Sequence, residues 1–480
     1  MTQILQHHTP VKLYFIEKSS LPQNHSRFIF SILNQKNPRI MSSEKQCYKI
    51  LLFPWLAHGH ISPAAELAKR LVHRNFHVFL CSTPVSLEPF RNSINDPSIE
   101  FVDLHLSTTK LPEKYHTTKN LPTHLMPTLK TAFIESKENF RSILKTIKPD
   151  ILVHDFMQPW ASVMASEEGI SPAVLFPCGA ACTSCIVHYA ARPEIEFPFE
   201  SLRLSEAERE KSEIINAAAS GTDSKDGSLT SFGGPSASCI LVNTSAKIEG
   251  KYLSYLSELV KKEVVPVGFL IQEQGNKSDD SEFLDWLSKK NTNSVVFVSF
   301  GSEYFLTKKE MEEVALGLES SGVSFIWVVR FPEGEKVDLD DALPQGFQKR
   351  VGDRGMLVEG WAPQAKILKH PSVGGFLSHC GWNSILEAIT YAVPLIAMPM
   401  QLDQPMNSKL VAELGIGIEV RRDGEEFNRG EIAKAVKKVV VEEDGKEMAR
   451  NLDKLSSEVR EDSDVEINTA ASKLVELAKR

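Results

Sequence analysis

From Tyr48 onward the chain alternates between short apolar runs and longer stretches of helical period. YKILLFP is an unbroken apolar run of strand length, and AAELAKRLVHR after it repeats apolar residues at helical spacing. Ser62 and Pro63 stand ahead of that stretch as an N-cap and a first helical residue. HVFLCS, DILVH at 150–154 and CILVNTS read as further strands. A second series opens at SVVFVSFGS and runs through FIWVVR, MLVEGW, VGGFLSH and PLIAMPM. Strand–helix alternation of this kind implies parallel sheets covered by helices on both faces. The pattern therefore predicts an α/β protein of two Rossmann-like domains facing a cleft. The first spans 46–265 and the second 293–455, joined by a polar linker at 266–292 and followed by a charged helical segment at 456–480. Residues 202–236, rich in charge and then in Ser, Gly and Ala, read as a surface loop or flap of the first domain.

Composition narrows this picture only at its edges. At 480 residues the chain is too long for a single core. A net charge of −8 without a basic stripe argues against nucleic acid as the main partner. No apolar run approaches the roughly 20 residues of a membrane helix, so no stable membrane insertion is expected. Seven cysteines in no regular spacing read as reduced thiols of a cytoplasmic protein. Cys178, Cys182 and Cys185 do have a spacing found in iron–sulfur ligation, but LFPCGAACTSCIVHYAA reads as a tightly packed small-residue helix. The first 45 residues stand apart. Residues 1–40 carry five Lys/Arg against Glu17 alone, without the apolar core of a secretory signal, and read as an upstream start or a disordered arm ahead of Met41, the low acidity also allowing an organelle transit peptide.

Two places carry candidate chemistry. SHCGWNS, residues 378–384, sits between a predicted strand and a predicted helix, where open parallel sheets collect ligands. Gly381 permits a tight turn, Asn383 or Ser384 can cap the helix, and the helix start favours an anion. A phosphate would be held there by backbone amides, Asn383, Ser384 and the His379 imidazole. A capped turn without ligand accounts for the Ser and Gly, but not for the His and Trp. His379 and Cys380 have no partners at metal-ligand spacing, and no metal is expected. The second place is WLAHGHISP, with His60 close to a helix start that disfavours protonation and keeps the imidazole available as a base. His58 competes with it, and a satisfied loop histidine is the plainer alternative. Asp155, ending the strand DILVH, is a carboxylate able to hold that imidazole in one tautomer. No glycine fingerprint for dinucleotides and no P-loop motif occurs. Asp338-Leu339-Asp340 and Asp462-Ser463-Asp464 lie in charged polar stretches and read as solvated surface.

WAPQAKILKHPSVGGFLSHCGWNSILEAITYAVPLIAMPMQLDQ, the 44 residues from Trp361 to Gln404, resembles the signature box of plant UDP-dependent glycosyltransferases. The resemblance extends over the chain from Tyr48, through PWLAHGHISP and SFGS. It implies the GT-B type fold, with UDP-sugar on the second domain, acceptor on the first, and the C-terminal helix packing back on the first domain. Carried over by residue, Trp361 would stack on uracil, Ala362 and Gln364 would contact the nucleoside, and Glu387 would bind ribose. Ser302, His379, Asn383 and Ser384 would hold the diphosphate, while Trp382, Asp403 and Gln404 would meet the sugar. His60 matches the family's base and Asp155 its partner. The implied reaction is inverting and metal-independent, UDP-glucose is a co-substrate, and no other cofactor is implied.

The box departs from the family at Ile385, at Ala392 where the family mostly has Gly, and in MPMQLDQ, which lacks aromatics before Asp-Gln. FPWLAHGHISP, YHTTKNLPTHLMPTL, NTSAKIEGKYLSYL and FGSEYFLTKKEMEE further resemble the plant branch that adds a sugar to glycosides of flavonoids, terpenoids and similar compounds. An enzyme acting directly on an aglycone, and a non-catalytic nucleotide-sugar binding protein, are the alternatives. A monomer is expected. The acceptor and the linkage position are not given by the sequence.

Overall fold

A computed structural model describes residues 47–108, 110–119, 121–212, 234, 236–272, 281–332, 337–424 and 426–480. The extension at 1–45, most of the Ser/Gly-rich segment and the middle of the linker lie outside the described residues. The first sheet holds seven parallel strands: β1 (Tyr48–Phe53), β2 (Phe76–Ser82), β3 (Ile99–Asp103), β4 (Ile151–Asp155), β5 (Ser171–Phe176), β6 (Cys239–Val242) and β7 (Glu263–Pro266). Their order is β3-β2-β1-β4-β5-β6-β7. The second holds β8 (Val295–Ser299), β9 (Ser324–Val329), β10 (Gly355–Glu359), β11 (Val373–Ser378), β12 (Leu395–Ala397) and β13 (Gly417–Glu419), in the order β10-β9-β8-β11-β12-β13. Both are Rossmann-like, and each reverses strand order once, between β1 and β4 and between β8 and β11. Those reversals open a crevice past the strand ends.

Four strands of these two sheets escape the pattern reading: β3, β5, β7 and β13. β3 is short and half-exposed. β5 begins SerPro, and its last two residues, Leu175 and Phe176, read as the start of the small-residue helix, which begins only at Ala180. β7 includes Pro266, tolerated because β7 is an edge strand.

One apolar cluster crosses between the sheets. It joins Phe176, Ala180, Cys182 and Tyr252 on the first side to Phe297, Trp382, Ile385 and Met406 on the second. The Glu443–Ala478 helix spans both sides. Leu452 and Val459 lie in that shared cluster, while Ile467, Ala470, Ala471, Leu474 and Leu477 join the core under β1 and β2. Arg74 bonds Asn468 at 2.8 Å, and the buried Glu466 carboxylate accepts from Ser245 Oγ and the Ala246 amide. Among the described residues no helix is long and apolar enough to cross a membrane.

Candidate active site

Each crevice carries one half of the site. The helix after β1 starts at His58, with Ala57 as its N-cap, five residues earlier than Ser62 as N-cap suggests. His60 thus lies in the first helical turn and Pro63 inside the helix. Lacking an N–H, Pro63 leaves the Gly59 carbonyl without its usual i+4 donor. Asn383 Nδ2, from the other sheet's turn, donates to that carbonyl at 3.2 Å. The proline therefore creates one of the acceptors by which the two halves meet.

Asp155, the last residue of β4, is buried, and its Oδ2 lies 2.6 Å from His60 Nδ1. Its Oδ1 accepts from the Met157 amide at 3.0 Å. With Nδ1 engaged, Nε2 is the nitrogen left to take a proton. Burial pushes the His60 imidazole down. The Asp155 charge and hydrogen bond, helped by Glu303 and Asp403, outweigh it and raise the value above normal. The positive helix start alone pushes the imidazole in the opposite direction, and a carboxylate in contact overrides a partial dipole. His58 has no such partner. Burial, Lys119 and Arg330 push it down to about 4, and its ring packs edge-on against Trp361.

Across the cleft, the helix after β11 runs Trp382–Thr390 with Gly381 as N-cap and no side-chain cap bond. Asn383 and Ser384 are inside the first turn rather than at the cap, so no side chain caps the helix start. His379 is enclosed by two glycines: a Cβ at Gly301 would lie 2.5 Å, and one at Gly381 2.6 Å, from its Nε2. Burial pushes its imidazole down to about 4, the Ser299 backbone opposing. Ser302 follows Gly301 in the loop after β8, partly buried.

The remaining residues of the box fall into two groups. Trp361 is 53% exposed, with Lys119 Nζ and Arg330 Cζ at 5.3 and 6.0 Å from its ring centre. Ala362 is buried, and Gln364 Nε2 donates to Glu387 and, at 3.4 Å, to Ser384 Oγ. Burial pushes Glu387 up to about 7, Gln364 opposing. In the second group, Gln404 Oε1 accepts from the Met400 and Gln401 amides, both at 2.9 Å, so its amide NH2 is what it has left to offer. Trp382 differs from the expectation that its side chain faces sugar. Its indole N–H donates to the Asn243 carbonyl of the first sheet at 2.7 Å, and its ring packs against Gly179.

The three spaced cysteines point to three different partners: Cys178 to Thr183 Oγ1, Cys182 to Met406 and Cys185 to the Leu202 carbonyl. Burial raises all three thiols, which pack as apolar groups. Asp338 caps a short helix and Asp462 pairs with Lys247 on the surface. The sequence reading missed Lys119, Arg330 and Glu303. Glu303 accepts from Thr118 Oγ1 at 2.5 Å across the cleft. None of the three has a local signal, since only the fold brings them beside Trp361 and His60.

Two Rossmann-like domains with a carboxylate-paired histidine on one side and an open helix start on the other define a GT-B type transferase fold. Residues 264–473 match the family model described as UDP-glucoronosyl and UDP-glucosyl transferase, and 48–271 match an N-terminal glycosyltransferase domain. A Gardenia jasminoides β-D-glucosyl crocetin β-1,6-glucosyltransferase is 45% identical over 437 residues, 89% of this chain and 98% of that protein. A Citrus maxima flavanone 7-O-glucoside 2''-O-β-L-rhamnosyltransferase is 42% identical, covering 90% and 97%. The crystal structure of Glycyrrhiza uralensis UGT73P12 complexed with glycyrrhetinic acid 3-O-monoglucuronide superposes with a TM-score of 0.79 at 25% identity, over 90% of this chain and 96% of that one. The chain belongs to the UDP-glycosyltransferase family and is a UDP-glycosyltransferase.

Proposed function

We propose that this enzyme transfers glucose from UDP-glucose to a sugar hydroxyl of a plant glycoside, with inversion, as a cytoplasmic monomer. The single observation that carries the chemistry is the 2.6 Å His60–Asp155 pair set opposite an uncapped helix start. His60 Nε2 takes the acceptor hydroxyl proton while that oxygen bonds to the anomeric carbon. The bond from that carbon to the diphosphate oxygen breaks, and UDP leaves with the electron pair. Attack from the face opposite UDP turns an α-linked donor into a β-glycoside. The open amides of the Trp382–Thr390 helix, with His379, Asn383, Ser384 and Ser302, take the charge growing on the diphosphate. Trp361 stacks on uracil beside Ala362 and Gln364, Glu387 binds ribose, and Asp403, Gln404 and the Trp382 backbone meet the sugar. No metal and no further cofactor enters this scheme.

Support for a glycoside acceptor comes from the relatives, two of which are named for acceptors that already carry a sugar. Their names differ in the sugar transferred, so the donor is argued from the terminal Gln404 of the box. Support for the reduced compartment comes from seven cysteines, all free thiols. The test is a panel of UDP-sugars against aglycones and their monoglucosides, with and without EDTA, products being identified by NMR. A β-linked disaccharide formed from UDP-glucose in EDTA is expected. Products on free aglycones alone, or loss of turnover in EDTA, would refute the corresponding part. His60→Ala is expected to abolish transfer while UDP still binds.

A further inference from the structure

Asp403 is the N-cap residue of the Gln404–Glu413 helix, yet its carboxylate makes no cap bond to that helix. An aspartate in this position ordinarily accepts from the amides two or three residues on. Here Oδ2 instead accepts from Asn407 Nδ2 at 2.8 Å, one helical turn along. The same Asn407 amide nitrogen donates to the Cys380 carbonyl at 3.0 Å. Asn407 is 1% exposed, and both protons of its NH2 are thereby used. Cys380 has a left-handed backbone at φ +64°, and Leu402, just before Asp403, has φ +56°. Neither is glycine, so both conformations need outside support. Burial raises the Asp403 carboxyl and Asn407 is the first influence opposing it, while His60 and Glu303 also face it.

We propose that Asn407 is the positioning residue of the donor-sugar site, holding the Asp403 carboxylate against the side of its own helix and tying it to the diphosphate turn through the Cys380 carbonyl. This rests on the reading above that Asp403 meets the sugar. One amide group then sets the spacing between the leaving diphosphate and the sugar it leaves. Without it, the Asp403 carboxylate loses its side-chain partner and is free to rotate. The fold loses two buried hydrogen bonds, and the sugar loses its orienting acceptor.

The experiment compares wild type with Asn407→Ala, Asn407→Asp and Asp403→Ala. UDP binding is followed by calorimetry, transfer from UDP-glucose by steady-state kinetics, and folding by thermal melts. Asn407→Ala should lower kcat/KM for UDP-glucose about 10- to 100-fold, with UDP affinity held within about twofold. In Asn407→Asp two adjacent carboxylates share a proton, and the protonated residue can again donate to Asp403. That variant should recover activity as pH falls from 8 to 6, relative to wild type. Equal losses for UDP and UDP-glucose, a kcat/KM change below about threefold, or an Asn407→Asp pH profile parallel to wild type would overturn the proposal. So would melting temperatures reduced by more than about 10 °C in both Asn407 variants, which would make the residue one of folding. If Asp403→Ala leaves UDP-glucose use intact, the reading of the sugar site fails. If Asp403→Ala is impaired and the Asn407 variants are not, only the present inference fails.

Discussion

Replacing Asp155 by asparagine keeps the shape of the side chain and removes its charge, and the surrounding bonds dictate how the amide must sit. Asp155 Oδ1 accepts from the Met157 amide at 3.0 Å, so the asparagine carbonyl takes that place, since an NH2 there would oppose an N–H. The NH2 then faces His60 Nδ1, where the carboxylate now lies 2.6 Å away. Nδ1 is obliged to accept, which moves the ring proton to Nε2, the nitrogen needed to take the acceptor proton. The base is therefore present and blocked. We expect kcat to fall about 10³–10⁴-fold, or about 4–5.5 kcal/mol of transition-state stabilisation. Asp155→Ala leaves the tautomer unforced and should retain roughly tenfold more activity than Asp155→Asn. Without the carboxylate, burial dominates the imidazole, so the acid limb of residual activity moves to lower pH. The assay is UDP release under saturating donor and acceptor across pH 5–9, with UDP affinity measured in parallel and expected within about twofold. A loss below tenfold, or one confined to KM for UDP-glucose, would refute the tautomer argument.

Two further outcomes are expected. Ala392 sits at φ +55°, where the family mostly has glycine, so Ala392→Gly should relieve left-handed strain and stabilise the fold by roughly 0.5–1 kcal/mol with turnover unchanged. Guanidinium unfolding checks this, and a destabilised variant would show that the strain is offset elsewhere. Glu387, held at about 7 by burial, should bind ribose as the carboxylate. Its folded value lies above the ordinary 4.5, so the binding form is lost as pH falls through 7. UDP-glucose affinity, measured by calorimetry in a His60→Ala background, should therefore tighten up to about tenfold from pH 6 to 8. Glu387→Gln should flatten that dependence, and a dependence that persists unchanged would place its origin in another group.

The chain's own order of residues determined the architecture and pointed to the two segments that carry the candidate site. Strand-length apolar runs separated by helical stretches suffice for two parallel sheets, because the periods of the two elements differ and repeat often enough to be counted. Strands that break the pattern, such as β5 with its SerPro start or β7 with Pro266, were hidden, since their pairing rather than their composition makes them strands. SHCGWNS and WLAHGHISP were legible because their residue types are wasted on a plain turn. Tertiary structure decided what each residue faces. It put His60 against a carboxylate 95 positions away, which reverses the direction of its pKa, and let Pro63 free the Gly59 carbonyl for Asn383. It turned the Trp382 side chain to the opposite domain and joined Cys380 to Asp403 through Asn407. A sequence records which groups are available. Charge, burial and hydrogen-bond saturation depend on distances between segments, and those exist only once the sheets are packed.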